Sequence, residues 1–314
     1  MIIVSAGDTK FVPGMMMLIY SAWINNRNAR FYVIDAGISP DGRKKLSAFC
    51  ADHGISCQIV GVDPAFLAQL PKSVNWSPAM YARLFIPDLL AEHDKAIYID
   101  GDAVVNSDIS ELWQLDLGED LVAGALDGLM TPAFLADIGL RADQYINSGV
   151  LVMNLALWRA ERIAEQAIAL LLDRPGLEFP DQTAINLVAR DRVRYIDRKF
   201  NFFAREYTRF PKMIPRIIHY PGPDKPWSNK RSPLADVFDA YREVSGADIP
   251  KPKRGWQFKT FRRTVFGLLT LRPKHWRRLR YRLHYRSTFI DPHVAELRAK
   301  AMAARAPAPE GSGA

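Results

Sequence analysis

The strongest constraint on this chain is that apolar, β-type runs alternate with segments of helical length from its first residues onward. "IIVSA" and "FYVIDAG" read as short buried strands, separated by Val12 to Asn26, which has the length and apolar spacing of a helix. "SPDGRKKLSAFCADHG" predicts a second helix, with Ser39 as N-cap, Pro40 at the first helical position and Gly54 at the close. "ISCQIVGV" is a third strand. Alternation of this kind specifies a mostly parallel α/β sheet flanked by helices. In such sheets ligands collect outside the carboxyl ends of the strands.

The later segments continue the pattern. "SPAMYARLFIPDLL" predicts a helix cut short by Pro87, and "KAIYID" a strand. "DLVAGAL" and "SGVLVMNL" are two more strands, the second leading into a helix from Ala156 to Asp173. "DQTAINLVAR" reads as a helix with Asp181 at its N-terminus, and "RIIHY" as a last strand ending in "PGPDKPW". At 314 residues and 48% apolar content, the chain can bury one large core, with or without a small appendage. Cys50 and Cys57 are too few for a disulfide framework and lack metal-ligand spacing, so a reduced, cytoplasmic setting is expected. "MIIVSAGDTK" has neither a basic n-region nor a long apolar h-region, so it does not read as a signal peptide. No apolar run approaches the roughly 18 residues of a membrane span.

Chemistry first surfaces in "KAIYIDGDAVV". Asp100 and Asp102 stand one residue apart at the mouth of a buried strand, where two like charges resist desolvation unless something positive lies between them. In an extended segment, side chains two apart share a face, so both carboxylates can approach one cation. Oxygen ligands of this kind suit Mg2+ or Mn2+, whose shell is usually completed by substrate phosphates. A bland alternative is a loop of solvated acids. His219, at the end of "RIIHY", would complete a three-point shell suited to Mn2+. In the turn that follows, Lys225 would supply positive charge to a leaving diphosphate and Gly222 would let the backbone approach a phosphate. Asn147 and Ser148 precede one strand, and Asp181 and Gln182 open a helix. Such groups cap helices or bind sugar hydroxyls. Arg83, on "YARL", is either an ordinary surface arginine or a clamp for a diphosphate.

"YARLFIPDLL", "KAIYIDGDAVV", "ELWQLDL", "YINSGVLVMNLALWR", "FPDQTAINLV", "KFNF" and "HYPGPDKPW", in that order, resemble glycosyltransferase family 8, and in particular the bacterial lipooligosaccharide α-galactosyltransferases. The resemblance runs from residue 1 to about 245. It implies a GT-A fold and a retaining hexosyltransferase that moves galactose or glucose from a UDP-sugar to a glycan acceptor, such as a lipopolysaccharide or lipooligosaccharide core, with Mn2+ (or Mg2+) as cofactor. Asp100, Asp102 and His219 would be the metal ligands, with Gly101 between the two acids in the donor site. Ala6, Asp8 and Phe11 would meet the nucleotide, and Gly222 and Lys225 the diphosphate. Arg83, Asn147, Asp181 and Gln182 would surround the transferred sugar, with Asp181 and Gln182 at the reaction centre and Gln182 nearest the anomeric carbon. An amide is a poor nucleophile, so front-face attack by the acceptor hydroxyl, helped by the leaving phosphate, is the expected route. The chain departs from its relatives at Thr183, where they commonly carry Asp, and at Lys10 and Phe11, where Asn and Tyr are common. Phe11 can still stack on uracil.

Two other readings fit part of the pattern. The D-x-D after a strand also resembles the first motif of haloacid-dehalogenase-like phosphatases, with Asp100 as nucleophile, although that motif normally lies on the first strand and needs a later acidic pair. A non-catalytic nucleotide-sugar-binding module is the other. The formal charge of +8 is also uneven: residues 251–286 hold +13 and no acid, leaving −5 on the rest. That stretch interleaves Arg and Lys with Trp256, Phe258, Phe261, Phe266, Trp276 and Tyr281, which fits an interfacial segment on anionic lipid better than a nucleic-acid surface. The expected organisation is a catalytic domain over 1–245, a basic membrane-association segment over 246–300 and a disordered tail over 301–314, in a cytoplasmic protein held at the inner face of the membrane.

Overall fold

The computed structural model describes residues 1–72, 77–228, 232–252 and 283–305, with the isolated positions 266, 269, 276, 279 and 280. Its strands are β1 (Ile2–Gly7), β2 (Arg30–Asp35), β3 (Cys57–Gly61), β4 (Lys95–Ile99), β5 (Ala103–Val105), β6 (Val122–Leu126), β7 (Ile146–Asn154), β8 (Val193–Tyr195), β9 (Phe202–Phe203) and β10 (Ile217–His219). Seven form one sheet in the order β3-β2-β1-β4-β7-β6-β8; β5, β10 and β9 form a smaller one. Strands β1 to β4 are parallel, because each successive neighbour is reached through a crossover such as the helix Val12–Asn25 or the helix Pro40–Asp52. Only β7 is reversed, antiparallel to both β4 and β6, so the expected mostly parallel, mixed sheet is the one found. Ser39 caps its helix as its sequence requires, accepting from the Gly42 N–H.

The molecule divides into two compact units, one of Met1–Phe202 with Pro215–His219, the other of Phe203–Ile214 with Tyr220–Ala314. In the first, the core lies between the main sheet and its helices and includes Val4, Tyr98, Leu151, Met153, Trp158 and Ile185. Strands such as β1 and β7 are buried nearly throughout, as a sheet covered on both faces must be. The helix Val12–Asn25 is buried almost all round, and its polar residues serve β5: the buried Ser21 hydroxyl accepts from the Val105 N–H and the half-buried Asn25 amide donates to Val105 O. The second unit contains the helices Ala235–Ser245 and Asp291–Arg305. No helix among the described residues is long and apolar enough to cross a membrane. The helix Asp291–Arg305 includes the first residues of the segment 301–314; 306–314 lie outside the described residues, as does most of the basic stretch 251–286.

Three local expectations are corrected. Residues Pro78–Phe85 form a 3-10 helix instead of an α-helix, and Pro87 opens the short helix Ile86–Leu89 instead of ending one. Proline fits the first turn of a helix, where its missing N–H has no partner to lose. The helix expected from Ala156 to Asp173 is two helices, Leu155–Ala160 and Ile163–Asp173, separated at Arg162 with φ +53°. That left-handed residue lets the two helices bury different faces, Leu155 and Trp158 on one, Ile163, Ala164, Ala167 and Leu171 on the other. Finally, β5 and β8 carry too few residues to show a periodicity, and their positions depend on the partners they pair with.

Candidate functional site

Strand register brings the acidic pair and the histidine together. β4 ends with Ile99 opposite Val150, and the Asp100 N–H extends the ladder to Gly149 O at 2.8 Å. The chain then turns, with the Ala103 N–H returning to Asp100 O at 3.1 Å. β5 runs antiparallel to β10 and sets His219 opposite Ala103, next to Asp102. His219 Nε2 lies 3.3 Å from Asp102 Oδ1 and 3.7 Å from Asp100 Oδ2. One ligand atom from each of the three residues falls within 4.8 Å of the others. The two acids converge through this turn and not through the alternation of an extended strand, which corrects the local geometry expected for them.

The space between these atoms is kept open by Gly149. A Cβ there would stand 2.3 Å from His219 Cε1 and 2.9 Å from Asp100 Oδ2, closer than any side chain tolerates. Two carboxylate oxygens and one imidazole nitrogen, drawn together with Asp102 and His219 buried and Asp100 half-buried, are a donor set that fits a divalent ion of the Mn2+ or Mg2+ type.

Arg83 is not a surface arginine. It is 6% exposed, carried inward by the 3-10 helix, and its guanidinium is engaged on every side. Nη2 meets Asp100 Oδ1 at 2.9 Å, Nε meets Asp181 Oδ2 at 3.0 Å, and Nη1 donates to Ser148 O and Oγ at 2.7 and 2.9 Å. Its face lies over the Tyr98 ring, 4.7 Å from the centroid. Burial works against its charge, yet Asp100 above all, with Tyr98, Asp181 and Asp102, holds its pKa above the ordinary value. Burial likewise raises the Asp181 carboxyl, the Arg83 charge offsetting only part of the effect. Burial keeps the Tyr98 phenol protonated, and it donates to Asp100 Oδ1 at 2.6 Å. Asp100 therefore has one oxygen committed to Arg83 and Tyr98 and the other turned toward His219. Asp181 sits in the first turn of the helix Pro180–Val188, where an acid suits the helix N-terminus, and pairs there with Arg83.

Beside the triad lies a cluster of amides. Gln182 Oε1 accepts from Asn147 Nδ2 at 2.9 Å and from the Ser148 N–H at 3.1 Å, and its Nε2 donates to Asp127 Oδ2 at 3.3 Å. Asn147 Nδ2 also donates to Asp127 Oδ2, and Asn147 Oδ1 accepts from Asn201 Nδ2 at 2.8 Å. Asn201 Oδ1 lies 2.9 Å from His219 Nδ1. Asn186, one turn beyond Gln182, pairs with both the N–H and the C=O of Ile146, fixing the helix to β7. Thr183 is fully buried with its hydroxyl against Tyr145 OH at 2.9 Å. Asp127, Gly149, Asn186 and Asn201 join this network without being singled out by sequence reasoning. Gly149, Asn186 and Asn201 lie within stretches that carry the family resemblance, and Asp127 is an acid just past the carboxyl end of a strand.

Near the carboxyl end of β1, Ala6 is buried and Asp8 caps the 3-10 turn Thr9–Phe11, accepting from the Lys10 N–H at 2.9 Å. Its other oxygen accepts from Ser77 Oγ at 2.9 Å. Lys10 itself is exposed. Phe11 packs by Gly101: a Cβ at Gly101 would meet Met15 Cγ at 2.9 Å and Phe11 Cδ1 at 3.5 Å. Gly222 and Lys225 belong to the second unit. There Gly222 has φ +88°, a conformation that favours glycine, and Lys225 Nζ donates to Tyr220 O at 3.0 Å.

Comparison with known proteins gives a consistent answer. The profile described as Glycosyl transferase family 8 matches residues 2–231. General stress protein A of Bacillus subtilis is 29% identical over 266 residues, covering 76% of this chain and 92% of that protein. A lipopolysaccharide 1,2-glucosyltransferase of Escherichia coli K12 is 28% identical over 246 residues, 70% of each chain. Among solved structures, the galactosyltransferase LgtC in complex with donor and acceptor sugar analogues superposes with a TM-score of 0.71 at 27% identity, over 81% of this chain and 98% of that one.

Proposed function

This chain belongs to glycosyltransferase family 8, and from that premise we propose that it is a retaining hexosyltransferase that moves galactose or glucose from a UDP-sugar to a glycan acceptor of the lipopolysaccharide core type. The observation that carries this reading is the convergence of Asp100, Asp102 and His219 beside the amide cluster of Asn147 and Gln182. Both a glucosyltransferase and a galactosyltransferase stand among its relatives, the former acting on lipopolysaccharide by its name.

In this proposal Asp100, Asp102 and His219 would hold Mn2+, with Mg2+ as the alternative, and the ion would supply Lewis-acid stabilisation of the leaving diphosphate. Ala6, Asp8 and Phe11 seat the nucleotide, with Gly101 small enough to leave Phe11 its place. Gly222 and Lys225 take the diphosphate. Arg83 orders the carboxylates of Asp100 and Asp181, while Asp181, Asn147 and Gln182 orient the sugar. The Gln182 carbonyl oxygen already accepts from Asn147 and Ser148, which diminishes its nucleophilicity further. The acceptor hydroxyl then attacks the anomeric carbon on the face the diphosphate leaves: the glycosidic C–O bond forms, the C–O bond to phosphate breaks, and the hydroxyl proton passes to a phosphate oxygen of UDP. A phosphatase using Asp100 as nucleophile fits less well, because one of its oxygens is held by Arg83 and Tyr98 and the other faces His219.

The exposed Phe266, Leu269 and Trp276, within a stretch of concentrated positive charge, support peripheral association with an anionic membrane surface at the cytoplasmic face, where a lipid-linked acceptor is built. The enzymatic reading is tested by incubating the protein with a panel of UDP-sugars and Mn2+, with and without chelator. The expected result is UDP release from a single hexose donor, stimulated by a glycan acceptor, abolished by chelation, with the anomeric configuration retained by NMR. A flat panel overturns it.

A further inference from the structure

Asn201 is buried at 3% exposure between the triad and the amide cluster, and its orientation is not a free choice. Asn147 Oδ1 receives the Gly149 N–H at 3.0 Å, a backbone donor that cannot reverse. Asn147 Nδ2 faces Asp127 Oδ2 at 3.1 Å, and an ionised carboxylate only accepts. Asn147 is thus pinned from both ends. Its Oδ1 requires a donor from Asn201, so Asn201 turns Nδ2 toward Asn147 at 2.8 Å and Oδ1 toward His219 Nδ1 at 2.9 Å. A carbonyl oxygen facing Nδ1 requires the proton there. A neutral imidazole protonated on Nδ1 carries its lone pair on Nε2, and Nε2 is the nitrogen turned toward Asp100 Oδ2 and Asp102 Oδ1.

We propose that Asn201 is a positioning residue that holds the Nδ1–H of His219 and so presents Nε2 to the ion, with the polarity of the lock set by the Gly149 N–H and the Asp127 carboxylate. The inference rests on the reading of Asp100, Asp102 and His219 as a divalent-cation site. Removing the acceptor frees the ring to rotate and to place its proton on Nε2, where it cannot ligate. Partners of this kind typically contribute about 10–100-fold in metal affinity.

The test measures Mn2+ affinity from the free-ion EPR signal, without nucleotide or sugar, for wild type, Asn201→Ala and Asn201→Asp. It is paired with 15N-histidine NMR of the protein saturated with diamagnetic Mg2+, the His219 signal being assigned by its loss in His219→Gln. Asn201→Ala is expected to bind Mn2+ about 10–100-fold more weakly. Asn201→Asp, which still offers an acceptor to Nδ1–H but no donor to Asn147, is expected to recover part of the loss. Mg2+-loaded wild type is expected to show the His219 proton on Nδ1. Finding the proton on Nε2 in wild type overturns the proposal even where the alanine variant does not fold, and so does unchanged affinity in Asn201→Ala. Wild type that binds no Mn2+ overturns the cation reading and this role with it, whereas a wild-type site indifferent to Asn201 overturns this role alone.

Discussion

Arg83 is the buried cation shared by two carboxylates of the site. It is buried, it bridges Asp100 to Asp181, and each carboxylate would be an uncompensated charge in its absence. Arg83→Met is expected to lower stability by about 3–5 kcal/mol, read from the urea midpoint; a shift of a few tenths would show that the acids are not dependent on it. Gly149 is the other residue on which the site turns. Gly149→Ala would push a methyl group into the space between His219 and Asp100, and the expected outcome is loss of Mn2+ binding with about 1–3 kcal/mol of destabilisation from overpacking. Retained Mn2+ affinity in that variant would mean the triad is not the ion's site. These roles differ in how visible they are from residues alone. Asp100, Asp102 and His219 stand at strand ends and have ligand chemistry, so their pattern is legible before any coordinates. Gly149 and Asn201 lie in stretches that carry the family resemblance but have no ligand chemistry of their own, because their roles exist only once β4 has paired with β7 and β5 with β10 and distant positions have come within contact.

At the scale of elements, what the chain encodes locally is what periodicity and capping can express. β1 to β4, the helices Val12–Asn25 and Pro40–Asp52 and the Ser39 cap all follow from spacing and turn chemistry. The break at Arg162 does not, since a left-handed non-glycine residue has no sequence marker there and is imposed by the burial of two different helix faces. The helix Asp291–Arg305 offers a separate test within the second unit. His293 stacks on Phe289 with ring centroids 5.7 Å apart and meets Tyr241 OH at 3.2 Å. Burial pushes its pKa down to about 4, with Glu296 raising it somewhat and Lys300 lowering it. The unfolded chain, with an ordinary histidine, therefore takes up the proton first as pH falls. The native state is expected to lose about 1–3 kcal/mol progressively between about pH 6.5 and pH 4, with no further loss from this group below that. Urea unfolding across that range should show a steeper decline in wild type than in His293→Phe; parallel profiles would remove His293 as the cause.

At the scale of the whole molecule, charge is divided as sharply as structure. The stretch 251–286 holds +13 against −5 for the remainder, a separation that suits attraction to an anionic surface at low ionic strength. A protein truncated near residue 250 is expected to cosediment less with vesicles rich in anionic lipid than the full chain, the difference shrinking as salt is raised; equal partition would contradict the membrane role. The fold class was readable from the alternation of strands and helices, whereas the arrangement of the reversed β7 between β4 and β6 was not, because antiparallel insertion depends on long-range pairing. The central claim is that three residues far apart in the chain hold one divalent ion for a nucleotide diphosphate. Anomalous diffraction at the manganese edge, from crystals grown with Mn2+ and UDP, tests it most directly. The account predicts a single peak bounded by Asp100, Asp102 and His219 with the UDP phosphates completing the shell; a peak elsewhere, or UDP bound with none there, would contradict it.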